Sequence, residues 1–315
     1  MKLTIGNGCV LKNGLPLGFV ITDEKIFEEY GFLIKGKKFV IKSGEESKSI
    51  EKYVEILKNL GNIDTIIAFG GGVVGDLAGF VASTYKRGIN FIQVPTSLTA
   101  MVDSSIGGKN GVNLCNKKNY VGTFYQPNET LIDPLFLKSL SKKEFSNGIA
   151  EVIKYRVLFG KPSLQRRVKR ISLNDNLKEL ISTCVKLKMK VVKEDEKDLG
   201  YRHILNFGHT IGHAFELVYK MSHGEAISIG MVAEMGLGKT KGLFSEEKIS
   251  KTKNLLEVNG LPTKFPKDFD VEEILDSLKF DKKGEFVFSF DRYHYDTKFS
   301  EDEVRNFLEN ERNNQ

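Results

Sequence analysis

The chain of 315 residues is long enough for two domains, and its 40% hydrophobic content is that of an ordinary soluble globular protein. Its net charge of +6 comes from 47 Lys and Arg residues interleaved with 41 Asp and Glu residues, without the basic run expected of a nucleic-acid-binding protein. Three cysteines without a C-x-x-C pair argue against a disulfide framework, and the lack of a signal-peptide core or a membrane-length apolar run predicts a cytoplasmic protein.

The first part of the chain alternates between short apolar runs and amphipathic segments. The runs predict strands at residues 18–22, 39–41, 65–69 and 89–94. The segments between them predict helices at residues 25–30, 50–60 and 73–82. Because strands alternate with helices, we predict an α/β domain with a mostly parallel, Rossmann-like sheet over residues 1–135. Residues 111–122 are predicted to form a loop.

From residue 136 the pattern changes to consecutive helices. They are predicted at residues 144–158, 177–192, 210–219, 226–239 and 246–258. Residues 285–290 alternate like a strand, and Ser300 with Glu303 forms a predicted capping box before a last helix. We therefore predict a mainly α-helical second domain over residues 136–315.

Three consecutive glycines, Gly70 to Gly72, follow the third predicted strand and precede a helix. A strand, a glycine turn and a helix start together bring backbone N–H groups up to a phosphate. The glycine spacing at 70, 72 and 75 satisfies G-x-G-x-x-G, but the next strand ends in Pro-Thr-Ser without the acidic residue expected on a ribose. The turn therefore does not match an ordinary dinucleotide-binding fingerprint. The alternative to a phosphate-binding turn is one whose glycines only allow tight packing between the helix and the strand.

The five histidines are concentrated in the second half, and three of them lie next to glycines. His209 and His213 are one helical turn apart, so their spacing alone would make both of them metal ligands. His223 begins the segment HGEA. Glu151 lies among apolar residues of a predicted helix, where a buried carboxylate needs a counter-charge or a metal. These residues predict a metal centre, although a hydrogen-bonded core histidine is an alternative for His213.

Several motifs resemble, in sequence and in order, those of the 3-dehydroquinate synthase family: GGGVVGDLAGF, PTSL, VDSSIGGKNGVN, AEVIKY, LNFGHTIGH and HGEA. The resemblance implies an NAD-binding domain over residues 1–135 and a metal- and substrate-binding domain over residues 136–315. It implies conversion of 3-deoxy-D-arabino-heptulosonate 7-phosphate to 3-dehydroquinate and phosphate, with catalytic NAD and one divalent metal, zinc or cobalt. Hydride leaves a carbinol for NAD, phosphate is eliminated, the hydride returns and an aldol step closes the ring.

The resemblance also implies the site residues. The metal ligands would be Glu151, His209 and His223, which leaves His213 to contact substrate. The NAD contacts would be Asp23, Glu45, Lys48, Gly71, Gly72, Asp76, Thr96, Ser97, Lys109 and Lys118. The other catalytic and substrate-binding residues would be Arg87, Asp103, Lys109, Asn119, Lys154, Lys188, Arg202 and Asn206, with one of Lys282 and Lys283. In this family Arg87 reaches the neighbouring subunit, which implies a homodimer.

For individual residues there are simpler alternatives. Glu45 and Lys48 could belong to a solvated turn, and most lysines of the chain are expected on solvated helix faces. Four residues depart from the usual family pattern, namely Arg156, Ser97, Cys115 and Lys117. These departures affect nucleotide affinity and loop geometry more than the reaction.

Three other functions are possible for the same motifs. A metal-dependent polyol dehydrogenase of the glycerol dehydrogenase type would typically carry a lysine at the position of Gly79 and an aspartate in place of Glu151. Another sugar-phosphate cyclase could make a deoxy-inosose or a valiolone, but VDSSIGGKNGVN favours dehydroquinate. The third is a binding protein that keeps the fold without turnover. Intact residues argue against it, namely Glu151, His209, His213, His223 and Lys109.

Overall fold

The computed structural model describes residues 1–115, 117–160, 164, 170–173, 175–278 and 285–313. Lys282 and Lys283 lie outside the described residues. The chain forms two compact units, which we call unit 1 (Met1–Phe145 with Leu173–Met189) and unit 2 (Ser146–Ser172 with Lys190–Gln315). The chain therefore passes between the units three times, and the predicted boundary at residues 135 and 136 lies within the first stretch of unit 1.

Unit 1 contains a six-stranded sheet whose strands are all parallel. The strands of this unit are β1 (Lys2–Ile5), β2 (Phe19–Asp23), β3 (Lys38–Ile41), β4 (Thr65–Gly70), β5 (Asn90–Pro95), β6 (Lys109–Leu114), β7 (Lys117–Phe124) and β8 (Glu129–Ile132). The sheet order is β1-β8-β5-β4-β2-β3. This arrangement confirms the predicted parallel sheet, and it places the carboxyl ends of β2, β4 and β5 along one edge.

Helices α1 (Glu24–Tyr30), α2 (Ile50–Asn59) and α3 (Gly72–Thr84) alternate with the strands of this sheet. Asp23 caps α1 by accepting from the Ile26 N–H, and Ser49 caps α2 by accepting from the Lys52 N–H. Fully buried side chains such as Ile21, Leu77 and Phe91 form the core of the unit. Each such side chain contributes about 1.5–3 kcal/mol to stability by leaving water.

The prediction of a loop at residues 111–122 was wrong, because β6 and β7 form an antiparallel hairpin there. Val112 is fully buried and Val121 packs against the same core, so tertiary contacts hold the hairpin despite its many polar residues. Gly111 and Gly122 lie opposite each other, and a Cβ atom at Gly122 would come within 2.5 Å of the Asn110 carbonyl oxygen. Lys118 and Asn119 therefore lie on a strand.

Asp133, at the end of β8, is a buried carboxylate that ties the N-terminal segment to the sheet. Its Oδ1 accepts from the Gly8 N–H at 2.8 Å, and its Oδ2 accepts from the N–H groups of Val10 and Leu11 at 3.0 Å each. The side chain is fully buried, so these donors replace the water that the carboxylate would otherwise bind. Asp133 is thus a purely structural acidic residue of unit 1.

The remaining part of the chain is mainly helical, as predicted. Its helices are α4 (Lys142–Phe159), α5 (Lys178–Glu194), α6 (His209–Val218), α7 (His223–Thr240), α8 (Glu246–Val258), α9 (Val271–Leu278) and α10 (Glu301–Asn313). Strands β9 (Glu285–Phe288) and β10 (Thr297–Ser300) form an antiparallel pair. The predicted capping box is present, since Glu303 Oε2 accepts from the Ser300 N–H at 2.7 Å and the Glu303 N–H donates to Ser300 Oγ at 3.2 Å. Among the described residues, no helix is both long enough and apolar enough to cross a bilayer.

His203 forms a charged contact in unit 2 that makes stability depend on pH. Its Nδ1 lies 2.7 Å from Asp296 Oδ1 and its Nε2 lies 3.0 Å from the Asp198 carbonyl oxygen, so both ring nitrogens face acceptors. Burial opposes protonation, but the contacts with Asp296 and Asp198 outweigh it and raise the pKa of His203.

Because this pKa is raised in the folded state, the stabilisation by His203 is fully present below its unfolded pKa of about 6.5 and is lost as pH rises through the folded value. We expect the unfolding free energy of the wild type to exceed that of His203→Ala most at about pH 6, and the difference to shrink towards pH 9. Urea unfolding at several pH values measures both. A difference that is constant over this range would contradict the assignment.

Candidate functional site

The three predicted metal ligands converge in unit 2. One ligand atom from each of Glu151, His209 and His223 lies within 4.8 Å of the others. Glu151 Oε1 is 2.9 Å from His223 Nε2 and 3.4 Å from His209 Nε2, and the Glu151 side chain is almost completely buried. Two imidazoles and one carboxylate leave coordination positions open, which is the donor set of a catalytic rather than a structural zinc site.

His209 is the first residue of α6, and its position depends on the glycine before it. Gly208 has a φ of 80°, in the left-handed region that favours glycine, and a Cβ atom there would lie 2.5 Å from Met231 Cγ. His209 Nδ1 lies 3.1 Å from the Phe207 carbonyl oxygen, to which it can donate. That hydrogen bond places the proton on Nδ1 and leaves Nε2 to face Glu151 as a ligand atom.

His223 is the first residue of α7, and its Nδ1 atom also faces an acceptor. Glu225 Oε2 accepts from the Ser222 N–H at 3.0 Å and completes a capping box at the start of this helix. Glu216 Oε2 lies 3.6 Å from His223 Nδ1, on the side of the ring away from Glu151. A carboxylate in this place favours the tautomer with the proton on Nδ1 and so leaves Nε2 for a metal.

The charges around Glu151 suit a cation. Burial alone would raise the pKa of Glu151, but Lys154 and His209 outweigh it and hold that pKa well below its usual range. Lys154 Nζ is 2.6 Å from Glu151 Oε2, and both side chains are 1% exposed. Burial and Lys154 lower the pKa of His209, whereas contacts with Glu151 and Glu216 overcome burial and raise the pKa of His223 to about 9. An entering metal ion would therefore displace a proton from His223.

Glycines bring the backbones of α4, α6 and α7 into direct contact. A Cβ atom at Gly224 would lie 2.3 Å from Asn147 Cα, and one at Gly230 would lie 2.0 Å from the Gly208 carbonyl oxygen. A Cβ atom at Gly212 would lie 2.9 Å from the Ala226 carbonyl oxygen. Side chains at these positions would push the helices apart, so the separation of the ligands depends on rigid packing between three helices.

The other predicted residues of unit 2 lie in different surroundings, and His213 is next to this centre. The His213 ring centroid is 5.2 Å from that of His209 and 6.2 Å from that of His223. His213 is exposed, which argues against the alternative of a core histidine. Arg202 is buried and donates from Nη1 to the Glu196 carbonyl oxygen at 2.7 Å, whereas Asn206 is exposed.

In unit 1 the glycine turn joins β4 to α3 at the carboxyl edge of the sheet. Helix α3 has no side-chain cap, and Cβ atoms at Gly71 and Gly72 would lie 3.5 Å from Ser97 Oγ and 3.2 Å from Ser104 Oγ. The Thr96 N–H donates to the Gly70 carbonyl oxygen at 2.9 Å. The structure thus brings four predicted NAD contacts together at a helix N-terminus, where an anion is stabilised.

Four further predicted NAD contacts lie in short polar networks. Lys48 is buried, and its Nζ is 2.5 Å from Asp76 Oδ2. Burial raises the pKa of Asp76, and Lys48 opposes that shift. Because Lys48 is buried, the alternative of a solvated turn does not hold for this residue. Glu45 is exposed and accepts from Asn113 Nδ2 at 2.9 Å. Asp23, besides capping α1, accepts from Ser43 Oγ at 2.9 Å.

Two predicted substrate residues of unit 1 contact each other. The Lys188 ammonium is 2.8 Å from Asp103 Oδ1 and donates to the Asp103 carbonyl oxygen at 2.7 Å, and Lys188 is buried. Lys109, Lys118 and Asn119 are exposed on the β6–β7 hairpin.

Arg87 occupies an unusual turn of unit 1. Lys86, Arg87 and Gly88 have φ values of 50°, 65° and 115°, so three successive residues adopt the left-handed region that costs energy for residues other than glycine. Arg87 is exposed. Within the described part of the chain, its guanidinium has no ion pair or hydrogen bond.

Sequence reasoning missed two carboxylates of unit 2. Glu216, one turn after His213, is polar on a helix that carries the metal site, and its spacing gave no distinct signal. Glu234 is fully buried in α7 and accepts from the Gly208 N–H at 2.6 Å and the Ile211 N–H at 3.3 Å. Glu234 lies in the apolar run ISIGMVAEMGLG and, like Glu151, is an acidic residue within an apolar helix, so the same sequence signal marks both.

The chain is also similar to known proteins. Residues 38–147 match the family described as 3-dehydroquinate synthase N-terminal, and residues 148–284 match 3-dehydroquinate synthase C-terminal. The 3-dehydroquinate synthase of Clostridium botulinum (strain Alaska E43 / Type E3) is 43% identical over 84% of this chain and 81% of its own length. That of Crocosphaera subtropica (strain ATCC 51142 / BH68) is 43% identical over 84% of this chain and 79% of its own length.

A solved structure is also similar. A crystal structure of 2-deoxy-scyllo-inosose synthase, complexed with carbaglucose-6-phosphate, NAD+ and Co2+, superposes with a TM-score of 0.82. It is 26% identical in sequence, and the match covers 93% of this chain and 89% of that one.

Proposed function

Because the chain belongs to the 3-dehydroquinate synthase family, we propose that it converts 3-deoxy-D-arabino-heptulosonate 7-phosphate into 3-dehydroquinate and phosphate, with catalytic NAD and one divalent metal, zinc or cobalt. The reaction is that of a carbon-oxygen lyase of the shikimate pathway, which leads to chorismate and the aromatic amino acids. The observation that carries the proposal is the convergence of Glu151, His209 and His223. An exposed imidazole, His213, lies beside them.

When bound, NAD supplies a reversible hydride acceptor, and the metal polarises a carbinol and its neighbouring hydroxyl as a Lewis acid. In unit 1 the uncapped start of α3, at Gly71 and Gly72, with Thr96 and Ser97 beside it, binds the dinucleotide phosphates. The other NAD contacts that we propose are Asp23, Glu45, Lys48, Asp76, Lys109 and Lys118. Asp76 is oriented by its ion pair with Lys48.

In unit 2, Glu151, His209 and His223 hold the metal, and His213 contacts the substrate. His213 is suited to this role because its ring is exposed and within 5.2 Å of the His209 ring, centroid to centroid. Lys154 keeps Glu151 ionised, which a metal ligand requires. No additional strong base is needed in this account, because the substrate's own phosphate takes the proton and the protein mainly positions and stabilises charge.

The substrate carries a carboxylate and a phosphate, and cationic and amide side chains are available to bind them. The residues that we assign to substrate binding, besides His213 and Lys154, are Arg87, Asp103, Lys109, Asn119, Lys188, Arg202 and Asn206. Asp103 fixes the Lys188 ammonium, and the Glu196 carbonyl oxygen accepts from Arg202 Nη1, so each cation is oriented by a protein acceptor.

We further propose a cytoplasmic homodimer in which Arg87 reaches the neighbouring site. A guanidinium presented on three successive left-handed residues, without a partner in the described part of the chain, supports a role outside its own unit. The three cysteines are free thiols, which suits a reducing compartment.

Two features favour this function over a polyol dehydrogenase. A Cβ atom at Gly79 would lie 1.9 Å from Oδ1 of the buried Asn110, so the lysine typical of those enzymes would not fit unless the Asn110 side chain moved. The acidic metal ligand is Glu151 rather than aspartate.

The test is an assay of phosphate release from 3-deoxy-D-arabino-heptulosonate 7-phosphate with NAD well below the substrate concentration. We expect many equivalents of phosphate per NAD, no net NADH absorbance, and loss of activity on chelation that added Zn2+ or Co2+ restores. Accumulation of NADH in proportion to substrate would instead indicate a dehydrogenase. An assay with no phosphate release would reject the proposed reaction.

A further inference from the structure

Helix α6, which carries His209 and His213, begins without a cap of its own. Its N-cap residue is Gly208, which has no side chain, and the first N–H groups of any helix lack partners within the helix. Such groups need an acceptor when they are buried. The acceptor here comes from a different helix.

Glu234 of α7 supplies it. Its Oε2 accepts from the Gly208 N–H at 2.6 Å and its Oε1 accepts from the Ile211 N–H at 3.3 Å. These two donors flank His209 on either side in the sequence. The Glu234 carboxyl group is fully buried, which raises its pKa to about 8, and each of its oxygens accepts from a backbone N–H group, so these donors fix its position.

The same helix holds the second imidazole. Glu234 lies eleven residues after His223 in α7, which is about three turns at 3.6 residues per turn, so the two side chains project from one face. The close glycine contact between Gly230 and Gly208 prevents α6 from sliding along α7 between these points. One rigid helix therefore contributes His223 directly and sets the backbone of His209 through Glu234.

We propose that Glu234 is a positioning residue that fixes the first turn of α6 and thereby holds the His209 imidazole in place for metal binding. The inference rests on the proposed metal site. A cap that served stability alone would leave metal affinity unchanged, and this difference allows a test.

The test compares Glu234→Gln with Asp133→Asn in Co2+ titrations of the chelator-treated protein, followed by the visible spectrum of bound Co2+. Both substitutions are isosteric, and each replaces an acceptor oxygen of a fully buried carboxylate that binds backbone N–H groups. Asp133 lies in unit 1, which contributes none of the proposed metal ligands. It is therefore a matched control for the loss of stability.

We expect Glu234→Gln to weaken Co2+ binding by about 10–100-fold, the effect typical of residues that orient a metal ligand, and to change the Co2+ spectrum. Asp133→Asn should lower the urea midpoint while leaving both the affinity and the spectrum at their wild-type values. If Glu234→Gln bound Co2+ with the wild-type affinity and spectrum, this inference would be overturned but the proposed metal site would not. A wild-type protein that binds no Co2+ would overturn the metal site and the inference together.

A measurement on the wild type covers the case in which Glu234→Gln does not fold. If Glu234 holds the start of α6 in place before metal binds, the Gly208 and Ile211 amides should be protected from hydrogen exchange in the metal-free protein. Metal binding should then increase this protection only a little. Exchange of both amides at the rate of exposed groups until metal is added would overturn the inference.

Discussion

His209→Ala and His223→Ala are expected to lose the metal, whereas His213→Ala keeps it and loses turnover. Each of the first two substitutions removes one of three protein ligands, so metal affinity should fall by more than the roughly 100-fold that loss of an orienting residue can cost. His213 is outside the ligand set that we propose, although together with Glu216 and His223 it forms a second group that could hold a metal, and its ring is next to that of His209. If it exchanges protons with or orients the substrate, its loss should lower kcat by about 10²–10⁴-fold.

Metal content after dialysis and phosphate release measure the two effects separately. His203→Ala is the control, since His203 lies in the same unit and contacts Asp296 and Asp198 rather than the metal set. It should retain stoichiometric metal and wild-type turnover. Stoichiometric metal in His209→Ala, or its loss in His213→Ala, would show that the ligands are assigned wrongly.

Lys154→Met should destabilise the metal-free protein, because it removes the ammonium partner of the buried Glu151 carboxylate, but by less than the roughly 3–5 kcal/mol of an uncompensated buried charge, since His223 still lies 2.9 Å from Glu151 Oε1. The Lys154 and Glu151 side chains are each 1% exposed, so water cannot replace the lost contact. A bound divalent ion compensates the same carboxylate. Added Zn2+ or Co2+ is therefore expected to restore much of the lost stability in this variant.

Lys48→Met is the matched control for this prediction. Lys48 is also buried and paired with a carboxylate, that of Asp76, but in unit 1. The difference in unfolding free energy between the wild type and Lys48→Met should be the same with and without metal, because metal stabilises both proteins equally. Urea unfolding in chelator and in excess metal measures both variants. An equal loss for Lys154→Met under the two conditions would mean that no ion reaches Glu151.

The parallel sheet could be predicted because its strands are short apolar runs that end at glycine or polar turns. Residues 65–69, for example, stop at a triple glycine, and the observed strand β4 ends at Gly70. The β6–β7 hairpin could not be predicted in the same way. Most of its residues are polar, and Val112 and Val121 are held by contacts with distant parts of the core. The residue pattern of a short segment does not show such contacts with distant parts of the chain.

Helix α9 was missed for a different reason. Val271, Ile274, Leu275 and Leu278 are all buried and follow the helical spacing, so the signal was present in the sequence. The segment is only eight residues long, which makes such a stripe hard to tell from a loop or a strand.

For the site, spacing placed His209 and His213 on one helix face but could not choose between them. The choice depends on Glu151 and His223, which come from two other helices. Glu216 and Glu234 support the two imidazoles from positions that no local motif marks. The family resemblance, rather than spacing, therefore named the three residues that we propose as ligands, and only the packing of three helices brought Glu216 and Glu234 to notice.

The central claim is that one divalent ion binds between Glu151, His209 and His223. Anomalous diffraction at the cobalt edge from cobalt-loaded crystals tests it most directly. We predict a single strong peak about 2.0–2.2 Å from a Glu151 carboxylate oxygen and from the Nε2 atoms of His209 and His223. A peak bound instead by His213 and Glu216, or the absence of any peak at Glu151, would contradict the account.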